Sequence, residues 1–247
     1  MKSIILCEGS TDYVLLQYFM RKVYGWEDKK TNERAKGKYI RFIRTMSKGE
    51  DQLSIGGCGG SNGILPGFEY IMEYNNLSAE TESYDKVVII TDRDDFNTES
   101  DAIRGIEKIL QEKRVQAAES LCNNKWEECL YRNGHGKQCR FSLLILVIPF
   151  EETGAMETFL LDAIANSSSY DAEIIRDCNR FVDHVDKEKK YLTKRRYITK
   201  AKFDVYFSVR TAAEQFVERQ NILKNIEWEN YIKIQEQFAK LGDLASE

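Results

Sequence analysis

Carboxylates set at the ends of apolar runs carry the chemistry that this sequence offers. Ile4-Ile5-Leu6-Cys7 leads straight into Glu8-Gly9-Ser10-Thr11-Asp12, and Val87-Val88-Ile89-Ile90-Thr91 leads into Asp92-Arg93-Asp94-Asp95. Short apolar runs bounded by turn residues read as buried strands. Open parallel sheets take their ligands at the carboxyl ends of the strands. Two such strands ending at one edge would bring Glu8, Asp92 and Asp94 to a pocket for a hard cation, which prefers oxygen ligands. Alternate residues of an extended chain point the same way, so Asp92 and Asp94 can serve one site while Asp95 points elsewhere. Gly9 permits a sharp turn beside Glu8. Ser10 or Thr11 is the expected N-cap of the helix that follows, with Asp12 in its first turn.

In their order and spacing, these two stretches resemble the Toprim domain, the metal-binding module of topoisomerases, primases and a class of nucleases. Its signature is a Glu after the first strand and an Asp-x-Asp after a later one, matched here by Glu8, Asp92 and Asp94. The form Glu8-Gly9-Ser10-Thr11-Asp12 looks most like the overcoming-lysogenization-defect (OLD) nucleases. The resemblance spans residues 1–165 and implies an α/β fold with a Toprim-like, mostly parallel sheet flanked by helices. It also implies Mg²⁺, with Mn²⁺ as a substitute, held by Glu8, Asp12, Asp92, Asp94 and one further acidic residue. In the OLD-like nucleases that residue opens a helix in a Gly-x-x-Glu context. Gly154 to Glu157 match it, so Glu157 is the candidate, with Glu151 and Glu152 as rivals. The pattern carries a late lysine near the site, for which Lys200 and Lys202 are the candidates and Lys202 is preferred. The catalytic set so implied is Glu8, Asp92, Asp94 and Lys202. OLD-like nucleases usually carry an ATPase domain in the same chain. None is read here, so an ATPase on a separate chain, or none, is expected.

The elements that must position these residues are legible from periodicity. Val14, Leu15, Tyr18, Phe19 and Val23 recur at helical spacing, predicting a helix over residues 11–24. Leu53-Ser54-Ile55 runs into Gly56-Gly57-Cys58-Gly59-Gly60, and a helix is expected from Ile64 to Asn75. That turn matches neither a Walker A loop nor a full dinucleotide fingerprint. It is a tight turn between packed elements or a phosphate contact beside the carboxylates. A third strand covers Lys86 to Thr91. A helix with an Ile103, Ile106, Ile109 and Leu110 stripe follows, and residues 115–133 read as helical. A fourth strand covers Phe141 to Ile148, and then a helix buries Met156, Phe159, Leu160 and Ile164. Strand and helix repeated four times argue for a mostly parallel sheet with helices on both faces. Asn166-Ser167-Ser168-Ser169 marks a break, so the expected units are an α/β domain over 1–165 and a helical extension over 166–247 packed on it. Trp228, Tyr231, Ile234 and Phe238 form the last core stripe.

Charge narrows the partners. A net charge of −4 over 247 residues gives no general case for nucleic acid, so that case rests on local runs. Between Arg21 and Lys48 there are ten basic residues against three acidic, and between Lys187 and Lys202 eight against one. The second run interleaves Tyr191 and Tyr197 and continues to Phe203, a composition suited to single-stranded or frayed nucleic acid. Lys194, Arg195, Arg196 and Lys200 are the candidate contacts. A solvated face is the competing reading for both runs. With six cysteines and no Cys-x-x-Cys pair, a reduced, cytoplasmic chain is expected. No apolar run is long enough for a membrane span. There is no Gly-x-Ser-x-Gly elbow, no zinc spacing, and His135 and His184 are the only histidines. The leading expectation is a Mg²⁺-dependent nuclease acting on phosphodiesters, with DNA ahead of RNA. Primase-like nucleotidyl transfer uses the same carboxylates, and a non-catalytic nucleic-acid-binding module needs only the basic runs.

Overall fold

The computed structural model describes residues 1–29, 38–79, 81–212 and 223–245. Eight strands form one sheet: β1 (Lys2–Cys7), β2 (Glu27–Asp28), β3 (Phe42–Lys48), β4 (Asp51–Gly57), β5 (Lys86–Asp92), β6 (Gln116–Ala117), β7 (Trp126–Arg132) and β8 (Gln138–Ile148), in the order β2-β3-β4-β1-β5-β8-β7-β6. The helices are α1 (Ser10–Lys22), α2 (Ser61–Leu77), α3 (Thr98–Glu112), α4 (Met156–Ser167), α5 (Ser169–Val185), α6 (Arg195–Arg210) and, among the remaining described residues, α7 (Ile232–Phe238).

The four central strands, β4, β1, β5 and β8, are parallel neighbours. Both flanks are antiparallel: β2 and β3 beside β4, and β7 and β6 beside β8. The expected mostly parallel sheet is therefore corrected to a mixed one, with a parallel centre. The expected helix over residues 115–133 is also corrected, because this stretch supplies β6 and β7. In β7 alternate residues are buried: Glu127, Cys129 and Tyr131. A charged residue at one of those inward positions hides the period of two. Glu127 is tolerated there because its Oε1 accepts a hydrogen bond from the Glu119 backbone N–H and Lys125 lies within 3.7 Å. The Asn133-Gly134-His135-Gly136 turn then closes an antiparallel hairpin between β7 and β8.

The central strands read as unbroken apolar runs because both their faces are covered. Ile5, Cys7, Val88, Ile90, Leu144 and Leu146 face α1, α4 and the C-terminal helices. Ile4, Leu6, Val87, Ile89, Leu143 and Ile145 face α2 and α3. The first of these cores takes in Phe203, Tyr206, Phe207, Trp228, Ile234, Phe238 and Leu241, so α5 to α7 share it with α1 and the sheet. Trp228, Ile234 and Phe238 are fully buried, as their spacing suggests, although Trp228 sits in a short 3-10 turn ahead of α7.

The helix that follows β1 lies on one face, and the helix that follows β5 lies on the other. β1 and β5 are adjacent, so the crossovers diverge between them. That divergence is the topological switch point of an open α/β sheet, where a crevice opens beyond the strand ends. Glu8 and Asp92 are the residues at its two sides.

Candidate metal and nucleic-acid site

Four carboxylates meet at this crevice. Glu8 follows β1 directly. Its Oε1 accepts hydrogen bonds from the Thr91 hydroxyl and, at 3.0 Å, from the Asp92 backbone N–H. The end of β5 thus fixes the side chain at the end of β1. Asp12, in the first turn of α1, reaches back so that its Oδ2 accepts from the Gly9 N–H at 2.9 Å. The N-cap is therefore Gly9, in place of the expected Ser10 or Thr11. The Thr11 hydroxyl is used differently: it donates to Glu157 Oε1 at 3.0 Å and ties α1 to α4. Asp92 Oδ1 accepts from the Met156 N–H at 3.0 Å, which docks the start of α4 on the end of β5.

A backbone bridge explains why a residue so distant in sequence arrives here. The Arg93 N–H donates to the Ile148 carbonyl at 2.7 Å, and the Gly154 N–H donates to the Arg93 carbonyl at 2.8 Å. The Arg93 side chain donates to the Pro149 carbonyl at 2.6 Å and pairs with Glu99. The loop between β8 and α4 is thereby pinned against the end of β5, and Glu157 is delivered into the crevice, 5% exposed. Its rivals Glu151 and Glu152 are exposed on that loop. Asp94 is placed less deeply than the alternation of an extended chain suggests. The strand ends at Asp92, the bridge bends the chain, and Asp94 lies exposed at the rim, near enough for its charge to act on Glu8. Asp95 caps the following turn, its Oδ1 accepting from the Asn97 N–H at 2.8 Å.

The lysine at the site is Lys200, whose Nζ stands 3.3 Å from Glu157 Oε1. The preferred Lys202 is corrected: it pairs with Asp183 of α5 at 2.8 Å. Two residues along a helix turn the side chain by more than half a circle, so only one of the pair can face α4. The start of α6 reaches the same rim, where Arg195 Nη1 donates to the Asp94 carbonyl. Lys194, Arg195 and Arg196 are exposed, and the Arg196 guanidinium lies 5.0 Å from the centre of the Tyr197 ring. Part of the basic run from Arg21 to Lys48 lies outside the described residues, at 30–37. Of the rest, Arg21 and Arg44 both pair with Asp28.

The Gly-rich turn after β4 is a packing device. The Gly60 N–H donates to the Glu8 carbonyl at 2.7 Å and the Cys58 N–H to the Cys7 carbonyl at 2.8 Å, so the turn braces the loop that carries Glu8. At Gly63 a Cβ would fall 2.2 Å from the Cys58 carbonyl oxygen, which excludes any side chain.

Crowding shows in the acidities. Burial is the main cause that pushes the Glu8 carboxyl up to about 7. The Thr91 and Asp92 hydrogen bonds oppose it, and the Asp12 and Asp94 charges add to it. Asp12 is pushed up to about 6, by burial and then the Glu157 charge, against the Gly9 hydrogen bond and Lys200. Asp92 is raised well above the carboxylate range by burial and then by Asp12, Glu8 and Glu157. Among the described residues no group of three or more His, Cys, Asp or Glu side chains stands preassembled in metal-coordinating geometry. The hydrogen bonds that hold these four carboxylates each engage a single oxygen of the group. In kind, four converging oxygen donors whose like charge is opposed by Lys200 fit a hard divalent cation.

These shifts set a pH dependence. Glu8 and Asp12 hold protons more tightly folded than unfolded, so the native state binds more protons between about pH 4 and 7. The stability of the protein in EDTA should then fall as pH rises through that window, and the raised Asp92 carboxyl carries the fall beyond it. Urea midpoints at pH 5, 6, 7 and 8 check this. A midpoint that rises from pH 5 to pH 8 would mean that these carboxylates are neither buried nor crowded.

The fold is an α/β sheet carrying an acidic crevice at its switch point. The family model described as "Protein of unknown function (DUF3226)" matches residues 2–240, and the chain belongs to that family. No curated protein matches it. Among solved structures, hypothetical protein PH0156 from Pyrococcus horikoshii OT3 is similar over 99% of this chain and 99% of its own, with a TM-score of 0.52 at 15% identity, a likeness of fold. A glyoxalase/bleomycin resistance protein/dioxygenase family enzyme from Burkholderia phytofirmans PsJN aligns with 58% of this chain at 9% identity, and its TM-score of 0.20 carries no argument. No helix among the described residues is long and apolar enough to cross a membrane.

Proposed function

We propose that this protein is a Toprim-type, Mg²⁺-dependent nuclease that hydrolyses phosphodiester bonds of nucleic acid, DNA ahead of RNA. The observation that carries the reading is the convergence of Glu8, Asp12, Asp92 and Glu157 at the switch point, with Lys200 against Glu157. Mn²⁺ would serve in place of Mg²⁺. When bound, such ions activate water and stabilise the leaving oxygen in an in-line displacement.

The chain's own residues supply the rest. Glu8, Asp12, Asp92 and Glu157 would hold the ions, with Asp94 at the rim where substrate enters. Thr91 and the Asp92 N–H fix the orientation of Glu8, so the carboxylate is positioned before anything binds. Lys200 is placed to offset negative charge as it builds on the phosphoryl oxygens. Lys194, Arg195 and Arg196 give a cationic approach for the phosphate backbone, and Tyr197 beside them offers a ring on which a base can stack.

Purified protein should nick plasmid DNA or cut single strands with Mg²⁺ or Mn²⁺ and not in EDTA. Incorporation of labelled nucleotides without cleavage would reassign the same carboxylates to primase-like transfer. Binding with neither activity would leave a non-catalytic nucleic-acid-binding module. Within the nuclease reading, Lys200→Ala should slow cleavage by roughly 100-fold and Lys202→Ala by less than about tenfold. The reverse order, read from initial rates at saturating Mg²⁺, would restore Lys202.

A further inference from the structure

Helix α5 carries a second apolar line besides the one it buries. Its buried residues include Ile175, Cys178 and Val182. At about 100° per residue, Tyr170, Ile174, Phe181 and Val185 fall within about 60° of one another on a neighbouring strip. Tyr170, Phe181 and Val185 are 74%, 56% and 54% exposed, and Ile174 is half-buried at the edge of the core. A surface helix normally spends its single apolar stripe on its own core. An apolar line left in solvent as well marks a contact with something else.

The spacing of that line is symmetric. Tyr170 and Val185 lie equally far from the helix midpoint, between Asp177 and Cys178, and so do Ile174 and Phe181. Laid antiparallel on a copy of itself, the helix sets Tyr170 against Val185 of the second copy and Ile174 against Phe181 of the second copy, each pair occurring twice. A two-fold interface requires this kind of self-complementarity.

The charges beside the line follow the same symmetry. Glu173, Asp177, Arg180 and His184 run along one flank of it, four, three and four residues apart. Arg176 and Asp183 lie further round the helix, and Asp183 pairs with Lys202 of α6. A two-fold axis across an antiparallel pair sets each flank against the same flank of the copy. Glu173 then stands between Arg180 and His184 of the second copy, and Arg180 between Glu173 and Asp177 of the second copy. Flanking charges of this kind fix the orientation of paired helices. The one like pair is Asp177 with its own counterpart at the axis. Each Asp177 is already met by Arg180 of its own chain, at 3.4 Å.

We infer that the exposed face of α5 is a homodimer interface, on which a second copy of this chain docks antiparallel about a two-fold axis near Asp177. One helix pair buries less than a standard interface of about 1,200–2,000 Å², so the dimer is a weak one, with a Kd of about 10–100 µM. This inference is independent of the nuclease reading.

Sedimentation velocity on the full chain, from about 1 to about 200 µM, should show the mass doubling with concentration. Phe181→Glu should weaken association by at least about 30-fold, since it sets a charge against Ile174 of the second copy. Glu173→Arg and Arg180→Glu should each weaken it by about tenfold, and the double variant should lose much less than the two losses combined, because the swapped charges face each other. On mild oxidation Asp177→Cys, nearest the axis, should give a disulfide-linked dimer, while Arg176→Cys on the far side should not. A chain that stays monomeric throughout overturns the second copy as the occupant and leaves this face to a different protein. A dimer that Phe181→Glu leaves intact, or that Asp177→Cys fails to cross-link, lies elsewhere on the surface and overturns the inference equally.

Discussion

Asp92→Asn should abolish cleavage, by at least about 1000-fold, while making the metal-free protein more stable. The two effects have one cause. Asp92 is wedged between Glu8, Asp12 and Glu157, and its carboxyl is raised well above the ordinary range by burial and those charges. Asn keeps the shape, and its side-chain oxygen can still accept from the Met156 N–H, now at 3.0 Å. What it removes is an acidic group held at a cost and, under the proposed function, one ligand of the ion. Two unit charges about 6 Å apart at an effective dielectric near 20 repel by roughly 3 kcal/mol, and screening in an open crevice leaves ~1 kcal/mol. For a chain of this size that is about 2–4 °C in Tm. Thermal scans at pH 8 in EDTA and in Mg²⁺ read both halves. The variant should melt higher in EDTA and gain less from Mg²⁺ than the wild type, since a ligand stabilises in proportion to its binding to the native state. A variant that melts lower in EDTA and keeps the full Mg²⁺ shift would make Asp92 a structural cap for α4.

The second large effect lies far from the carboxylates. Trp228→Ala should destabilise the protein by about 3–5 kcal/mol, lowering Tm by roughly 10 °C. Trp228 is fully buried, its ring centre lies 6.4 Å from that of Phe207 and 5.7 Å from that of Tyr231, and its Nε1 donates to the Leu223 carbonyl at 2.6 Å. Phe207 belongs to α6, the helix that carries Lys200 and Arg195. The same core contains Ile5, Val88 and Leu144 of the sheet, so unfolding should remain a single transition. Differential scanning calorimetry decides it. A loss below about 1 kcal/mol, or a separate early transition for residues after 166, would show that α5 to α7 hold their place without this packing.

Much of the site was legible because strand ends are punctuated. Glu8 and Asp92 each close an unbroken apolar run, and such runs arise only where a strand is covered on both faces. Glu157 needed the Gly-x-x-Glu resemblance, since nothing local says that the Pro149–Gly154 loop folds back onto β5. The bridge through Arg93 does that, and Arg93 gave no signal in sequence beyond a charge between two aspartates. Lys200 and Lys202 are equivalent by composition. Only the packing of α6 against both α4 and α5 assigns one to Glu157 and the other to Asp183. The antiparallel flanks were lost for a different reason. β7 carries Glu127 at an inward position, and β2 has two exposed residues, so neither shows clean alternation.

The claim that most needs testing is that Glu8, Asp12, Asp92 and Glu157 form one divalent-cation site. Crystals soaked in millimolar Mn²⁺ and measured at the manganese absorption edge address it directly. The account predicts an anomalous peak between the ends of β1 and β5, with oxygens of Glu8 and Asp92 and at least one of Asp12 and Glu157 at about 2.0–2.4 Å. Absence of a peak there, with Asp12 still bonded to Gly9, Asp92 to Met156 and Glu157 to Lys200, would contradict it.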